Sequence, residues 1–196
     1  MALHFDAQGW LIDGAEKIPS PHVDERPAGL AIDLLVIHNI SLPAGRYGGG
    51  HIEALFRGDI DLQAHPSFAD LQGLRVSSHF LIRRDGSMVQ FVGLAQRAWH
   101  AGQSAFQGRT ACNDFSVGIE LEGCDAEGFA ESQMVQLADL SAAIAKQLPS
   151  LRWVAGHSDI APGRKTDPGP NFDWPDFLAR LRGHGCHLAR PFSDPA

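Results

Sequence analysis

The chain has 196 residues, of which 44% are hydrophobic and 20% charged, proportions of an ordinary globular protein large enough for one compact domain with a sizeable core. A formal net charge of -7 argues against a partner held by spreading Lys and Arg along phosphates, so no nucleic acid is expected. The N-terminus lacks a basic stretch followed by an apolar one, and no run approaches the roughly 20 apolar residues of a membrane helix, so the expectation is a cytoplasmic protein without a membrane partner.

In chain order, residues 1–29 are rich in proline and polar side chains and read as an extended arm with little regular structure. Leu34-Leu35-Val36-Ile37 is a continuous apolar run whose length and branching suit a buried strand that delivers His38 at its end. The glycines of residues 43–50 forbid a regular element, and residues 51–57 read as a short helix. Two strand-like runs, 78–84 and 88–92, flank Asp85-Gly86, a turn dipeptide that tolerates positive φ, and predict a hairpin. In 116–122 the alternation puts Val117, Ile119 and Leu121 on one face of a strand and Glu120 and Glu122 on the other.

Met134, Leu137, Leu140, Ile144 and Leu148 recur at near-helical spacing before Pro149, which predicts the main amphipathic helix over 131–148. Trp153-Val154-Ala155-Gly156 is a second short apolar run that presents His157 as the first presents His38. Asp173 and Pro175 start a last helix through Phe177, Leu178 and Leu181, and residues 183–196 read as a polar tail. A single domain over 1–196 follows, of class α/β or α+β, between which the pattern does not choose.

Cys112, Cys124 and Cys186 are odd in number and lack a Cys-x-x-Cys spacing, so neither a disulfide framework nor a thiolate zinc cluster is expected. Histidine is the unusual residue, with ten present and several beside apolar runs. Two strands ending in His38 and His157, followed by Asp167 in Lys165-Thr166-Asp167-Pro168-Gly169-Pro170, offer two imidazoles and a carboxylate. A catalytic zinc site has three protein ligands and an open position, whereas a structural one is closed by four, commonly with cysteines. Pro168 and Pro170 restrict the loop around Asp167, so a carboxylate could be held there without a helix or strand beneath it. Spacing alone leaves open that each histidine is an ordinary hydrogen-bonded one.

Five motifs taken together resemble the AmpD branch of the N-acetylmuramoyl-L-alanine amidases. They are Val36-Ile37-His38-Asn39-Ile40-Ser41, Ser78-His79-Phe80-Leu81-Ile82-Arg83-Arg84-Asp85-Gly86, Ala98-Trp99-His100-Ala101-Gly102, the stretch from Asn113 to Gly123, and the stretch from Gly156 to Pro170. Relatives on the same fold include phage lysozymes of the T7 type and peptidoglycan recognition proteins, where the third zinc ligand is often cysteine. Asp167 at that position favours the AmpD branch.

The resemblance implies an α/β fold, a mixed β-sheet flanked by helices, and a Zn2+ ion on His38, His157 and Asp167. It implies that Glu120 acts on the attacking water, that Lys165 assists at the oxyanion, and that Asn39, Arg75 and Arg109 bind the sugar-peptide. It gives His79 and His100 structural or substrate-side roles and makes residues 45–65 a lid. The implied activity is cleavage of the bond between the muramyl lactyl group and L-alanine in anhydro-muropeptides during peptidoglycan recycling, by a monomer acting on a small glycopeptide. The alternatives are a non-catalytic muropeptide-binding module, a regulatory module that binds an enzyme partner, and a structural metal.

Overall fold

The computed structural model describes residues 3–192. Its centre is a six-stranded mixed sheet of order β1-β5-β4-β9-β3-β10. The two longest strands, β3 (Leu34–Ile40) and β9 (Ser116–Glu122), run parallel side by side in its middle, with His38 opposite Glu120. Parallel to β3 on its other side lies β10 (Trp153–Gly156). Beyond β9 come β4 (Phe80–Ile82), its antiparallel partner β5 (Met88–Gln90), and the edge strand β1 (Ala15–Lys17).

The alternation of the strands sorts side chains to two faces. Leu35, Ile37, Val117, Ile119 and Leu121 face a core completed by Leu137, Leu140 and Ile144 of α2 (Glu131–Gln147) and by Phe177 and Leu181 of α4 (Trp174–Gly183). Full burial of each such leucine or isoleucine contributes about 1.5–3 kcal/mol before chain entropy is set against it. α4 starts as its sequence predicts: Asp173 accepts the Asp176 N–H at 2.9 Å and Pro175 occupies the first turn.

The opposite face is covered by α1 (His51–Arg57), whose Ile52, Leu55 and Phe56 pack on Leu81, Val89 and Phe91, and by a second apolar group around Leu34, Val36, Ala155 and Ile160. Ile160 belongs to the one-turn helix α3 (His157–Ile160), which follows β10 directly. With helices on both faces, the fold is the expected α/β one. The hairpin also forms as expected, with the Arg83 N–H bonded to Ser87 O at 2.9 Å across a turn where Gly86 takes φ 86°.

Three features differ from the sequence reading. Residues 1–29 are not an irregular arm: β1 joins the sheet, and β2 (Val23–Glu25) pairs antiparallel with β6 (Gln96–Ala98). Such three-residue strands are too short to alternate visibly, and their partners lie more than 70 positions away. His38 does not end its strand, because pairing with β9 continues through Ile40 and Glu122. The described part of the 183–196 tail is docked, with Leu188 buried in the main core and Ala189 bridging to Trp153; residues 193–196 lie outside the described residues. A small hairpin of β7 (Ala105–Phe106) and β8 (Arg109–Thr110) completes the regular structure.

Candidate active site

His38, on the face of β3 that carries Leu34 and Val36, is brought against the start of α3 and the loop after it. His38 Nδ1 and His157 Nδ1 are 3.0 Å apart, and Asp167 Oδ2 lies 2.9 Å from the first and 3.0 Å from the second. The imidazoles are buried and the carboxylate is 13% exposed, so the triangle is open on the carboxylate side. His157 Nε2 lies 3.1 Å from Ala101 O, which can only accept; the imidazole therefore carries a proton there, and Nδ1 is the atom it turns toward the other two.

Among the described residues, no lysine or arginine hydrogen-bonds to these three atoms, and the trio forms the one His/Cys/Asp/Glu group of metal-binding geometry. Two imidazole nitrogens and a carboxylate oxygen converging without a cation of the chain between them fit a divalent metal. Three protein donors leave a further coordination position, as a catalytic site requires.

The protonation states follow from the surroundings. Burial depresses the His38 imidazole to about 4, with Asp167 pulling in the opposite direction. Burial alone would raise the Asp167 carboxyl, but hydrogen bonds from His157 and His38 overcome it and hold Asp167 below the usual carboxylate range. Glu120 behaves otherwise: burial, reinforced by Asp167, pushes its carboxyl well above the ordinary value, with Lys165 opposing. Among the described residues Glu120 Oε2 has no hydrogen-bond partner although it is buried. A carboxyl group in that state is available to exchange a proton.

Lys165 is exposed in a groove of about 760 Å³ that also takes in Asn39, Ser41, Cys124 and Asp167. Asn39 Nδ2 donates to Asp125 Oδ1 at 2.7 Å and to Pro168 O at 3.0 Å, which ties the loop carrying Asp167 to β3. One wall of the groove is latched by its glycine-rich loop: the Gly48 N–H donates to Glu122 Oε1 at 2.6 Å and the Tyr47 hydroxyl to Glu127.

The structure brings His38, His157, Asp167, Glu120, Lys165 and Asn39 together. Arg75 lies apart, exposed on a smaller depression beside His22 and Leu71. Arg109 pairs with Asp33 at 3.0 Å, and its guanidinium lies 3.9 Å from the centre of the Phe115 ring. His79 is not a ligand: its Nδ1 accepts the Gly118 N–H at 3.0 Å and its Nε2 faces Gln96 O at 3.2 Å.

Sequence reasoning missed Arg26, Asp125 and Arg164. Half-buried Arg26 donates to the carbonyls of Leu94, Asn113, Asp114 and Ser116 behind the histidines. Arg164 donates to Ala101 O and Gln103 O, each at 2.7 Å. Nothing in the local pattern marks either arginine, since each is recognised by carbonyls distant in sequence.

Residues 28–170 match the sequence profile of the family described as N-acetylmuramoyl-L-alanine amidase, and the chain belongs to that family of amide hydrolases. Within it, the chain is 57% identical over 171 residues to the 1,6-anhydro-N-acetylmuramyl-L-alanine amidase AmpD of Escherichia coli strain K12, covering 87% of this chain and 93% of that one. The crystal structure of a selenomethionine AmpD derivative superposes with a TM-score of 0.86 at 53% identity, over 92% of this chain and 98% of that one. The Escherichia coli amidase AmiD, in complex with anhydro-N-acetylmuramic acid-L-Ala-D-gamma-Glu-L-Lys as substrate, superposes at 0.56 with 28% identity, over 95% of this chain and 67% of that one.

Proposed function

We propose that the protein is a zinc amidase that hydrolyses the bond between the lactyl carbonyl of 1,6-anhydro-muramic acid and the nitrogen of L-alanine in peptidoglycan turnover fragments. The observation that carries the chemistry is the convergence of His38, His157 and Asp167 beside a buried carboxyl with one unpartnered oxygen. The likeness to AmpD over nearly the whole of both chains supports the substrate class, and the AmiD complex supports an anhydro-muramyl peptide as its form.

In this reading His38, His157 and Asp167 hold Zn2+, which supplies Lewis acidity that activates water near neutral pH and polarises the amide carbonyl. Glu120 takes the proton of the attacking water and passes it to the alanine nitrogen as the C–N bond breaks, leaving a lactyl carboxylate and a free amine. A carboxyl group whose pKa is raised by burial suits both halves of that exchange. Lys165 places an ammonium in the groove to balance the negative charge that develops on the carbonyl oxygen. Asn39 holds the loop of Asp167 through its amide nitrogen and lies in the groove where the sugar-peptide would bind. Arg75 and Arg109 act at the periphery on substrate carboxylates, Arg109 while keeping its bond to Asp33.

The proposed setting is the cytoplasm and the proposed working form a monomer. Among the described residues no helix is long and apolar enough to cross a membrane. Incubation of zinc-loaded protein with anhydro-muramyl tripeptide, followed by mass spectrometry, tests the reading: free tripeptide should appear and should vanish in a chelated control. An intact substrate that nevertheless binds would replace the enzyme with a muropeptide-binding module.

A further inference from the structure

The turn Trp99-His100-Ala101-Gly102 lies behind the metal-binding atoms and in contact with both histidines. Ala101 O receives the Nε2–H of His157 at 3.1 Å. The neighbouring residue serves the other imidazole, for His100 Nδ1 lies 2.9 Å from His38 Nε2. The backbone between them is fixed from the side, with Asn113 Oδ1 accepting the N–H of His100 at 3.1 Å and that of Ala101 at 2.8 Å.

The direction of the protons can be deduced from a fixed point. Ser116 Oγ is 2.6 Å from Cys112 O, and because a carbonyl only accepts, the hydroxyl proton is used there. Ser116 Oγ is thereby left to accept from His100 Nε2 at 3.1 Å, which puts the His100 proton on Nε2. A neutral imidazole with its proton on Nε2 has a bare Nδ1, which accepts from His38 Nε2. A metal held there would take the lone pair of His38 Nδ1, the atom that faces His157 and Asp167, and the proton of the ligating ring would then belong on Nε2, where His100 Nδ1 receives it. Among the described residues no carboxylate hydrogen-bonds to the His100 ring, whose two nitrogens meet only Ser116 Oγ and His38 Nε2. The space for the ring is made by Gly118: a Cβ there would sit 2.6 Å from His100 Cγ.

We infer that His100, held by Ser116, is a positioning residue that fixes the tautomer and ring orientation of His38 for the metal-bound state, so that this turn holds both imidazoles with Nδ1 turned to the metal position. The inference rests on the reading that His38, His157 and Asp167 hold a metal. Groups that orient ligating imidazoles typically govern metal affinity by about 10–100-fold.

Zinc affinity, measured by competition with a chromophoric chelator, is the first readout. His100→Leu keeps the volume and removes the acceptor, and should weaken zinc binding by about 10–100-fold. His100→Asn can place an amide oxygen near the position of Nδ1 and should restore most of that loss, which a merely space-filling role would not allow. Should the leucine variant fail to fold, Ser116→Ala serves in its place, because it removes the acceptor that sets the His100 proton; a several-fold loss is expected, on the order of the lower end of that range. The second readout is long-range 1H–15N NMR of the metal-free wild type, where the His100 ring should carry its proton on Nε2 and leave Nδ1 to accept from His38. Unchanged zinc affinity in both His100→Leu and Ser116→Ala, or a His100 proton on Nδ1 in the metal-free protein, overturns the inference. A wild type that binds no zinc overturns the metal reading instead, and the NMR measurement distinguishes the two because it needs no metal.

Discussion

Glu120 stands directly opposite His38 in the parallel register of β9 and β3. Residues opposed in a sheet point to the same face, so a carboxyl and an imidazole of the candidate metal trio are delivered to one site by paired strands at the middle of the sheet. Rigid strands, rather than loops, thus set the separation between them.

From that placement, Glu120→Gln and His157→Ala should have different effects. The glutamine variant should retain about one zinc per chain and lose about 10²–10⁴-fold in turnover, the range for a positioned acid–base group. His157→Ala should lose both the metal and the activity. Zinc analysis beside the turnover assay separates the two, and a glutamine variant of near wild-type activity would remove Glu120 from the mechanism.

Acid should destabilise the metal-free protein beginning near pH 6.5. Burial depresses the imidazoles of His38, His79 and His100 below their ordinary value of 6.5, that of His38 to about 4. Below 6.5 the unfolded chain binds protons that the folded chain refuses, so this contribution to stability is complete above 6.5 and is lost as the pH falls toward the folded-state values. Each group contributes a slope of at most about 1.4 kcal/mol per pH unit. Glu120 acts in the opposite sense: its folded-state value is raised, so its contribution is present below the ordinary 4.5 and is lost as the pH rises through the raised value. Three groups against one give a net loss on acidification. Urea unfolding in chelator at pH 7.5, 6.5 and 5.5 checks this, and equal stabilities at the three would contradict it.

Gly118→Ala should be costly despite being the smallest possible change. Its methyl group would fall 2.6 Å from Cγ of His100 in a fully buried strand, and the ring cannot retreat without breaking its bonds to His38 and Ser116. Overpacking of this kind costs about 1–3 kcal/mol. Thermal unfolding measures the loss, and zinc affinity should fall with it.

Asn39→Leu should loosen the loop that carries Asp167 without touching Asp167 itself. It leaves Asp125 Oδ1 and Pro168 O without the donor that ties them to β3. A hydrogen bond to a charged group contributes about 1.5–3 kcal/mol, so a clear drop in stability is expected, together with faster zinc release in stopped-flow chelation. Zinc release at the wild-type rate would show that Pro168 and Pro170 hold the loop unaided.

What could be read in the sequence was what is local. An apolar run followed by His38, the Asp85-Gly86 turn, the spacing of Leu137, Leu140 and Ile144, and the Asp173 cap each depend on neighbours a few positions away. Two apolar runs ending in His38 and His157 and a proline-framed Asp167 offered the trio, but only the resemblance made it a ligand set, for the two histidines are 119 positions apart and nothing local shows that they meet. The place of His100 was hidden for a related reason: its ring fits only because Gly118, on a strand that follows it, leaves a gap, and its proton is set by Cys112 O through Ser116. Strands β1, β2 and β6 were invisible because three residues hold no period.

The pairing of β1 with β5 also bears on how the protein could be trimmed. The family profile begins at residue 28, yet the segment before it contributes an edge strand, the wholly buried Leu11, and Arg26, whose guanidinium occupies four carbonyls. A version shortened to that starting point would bare the backbone of Met88–Gln90, a strand that in the full chain has a neighbour on each side. Unpaired strand margins recruit other copies. The shortened protein would therefore fail first by clumping in storage, before any change in its metal site could be measured.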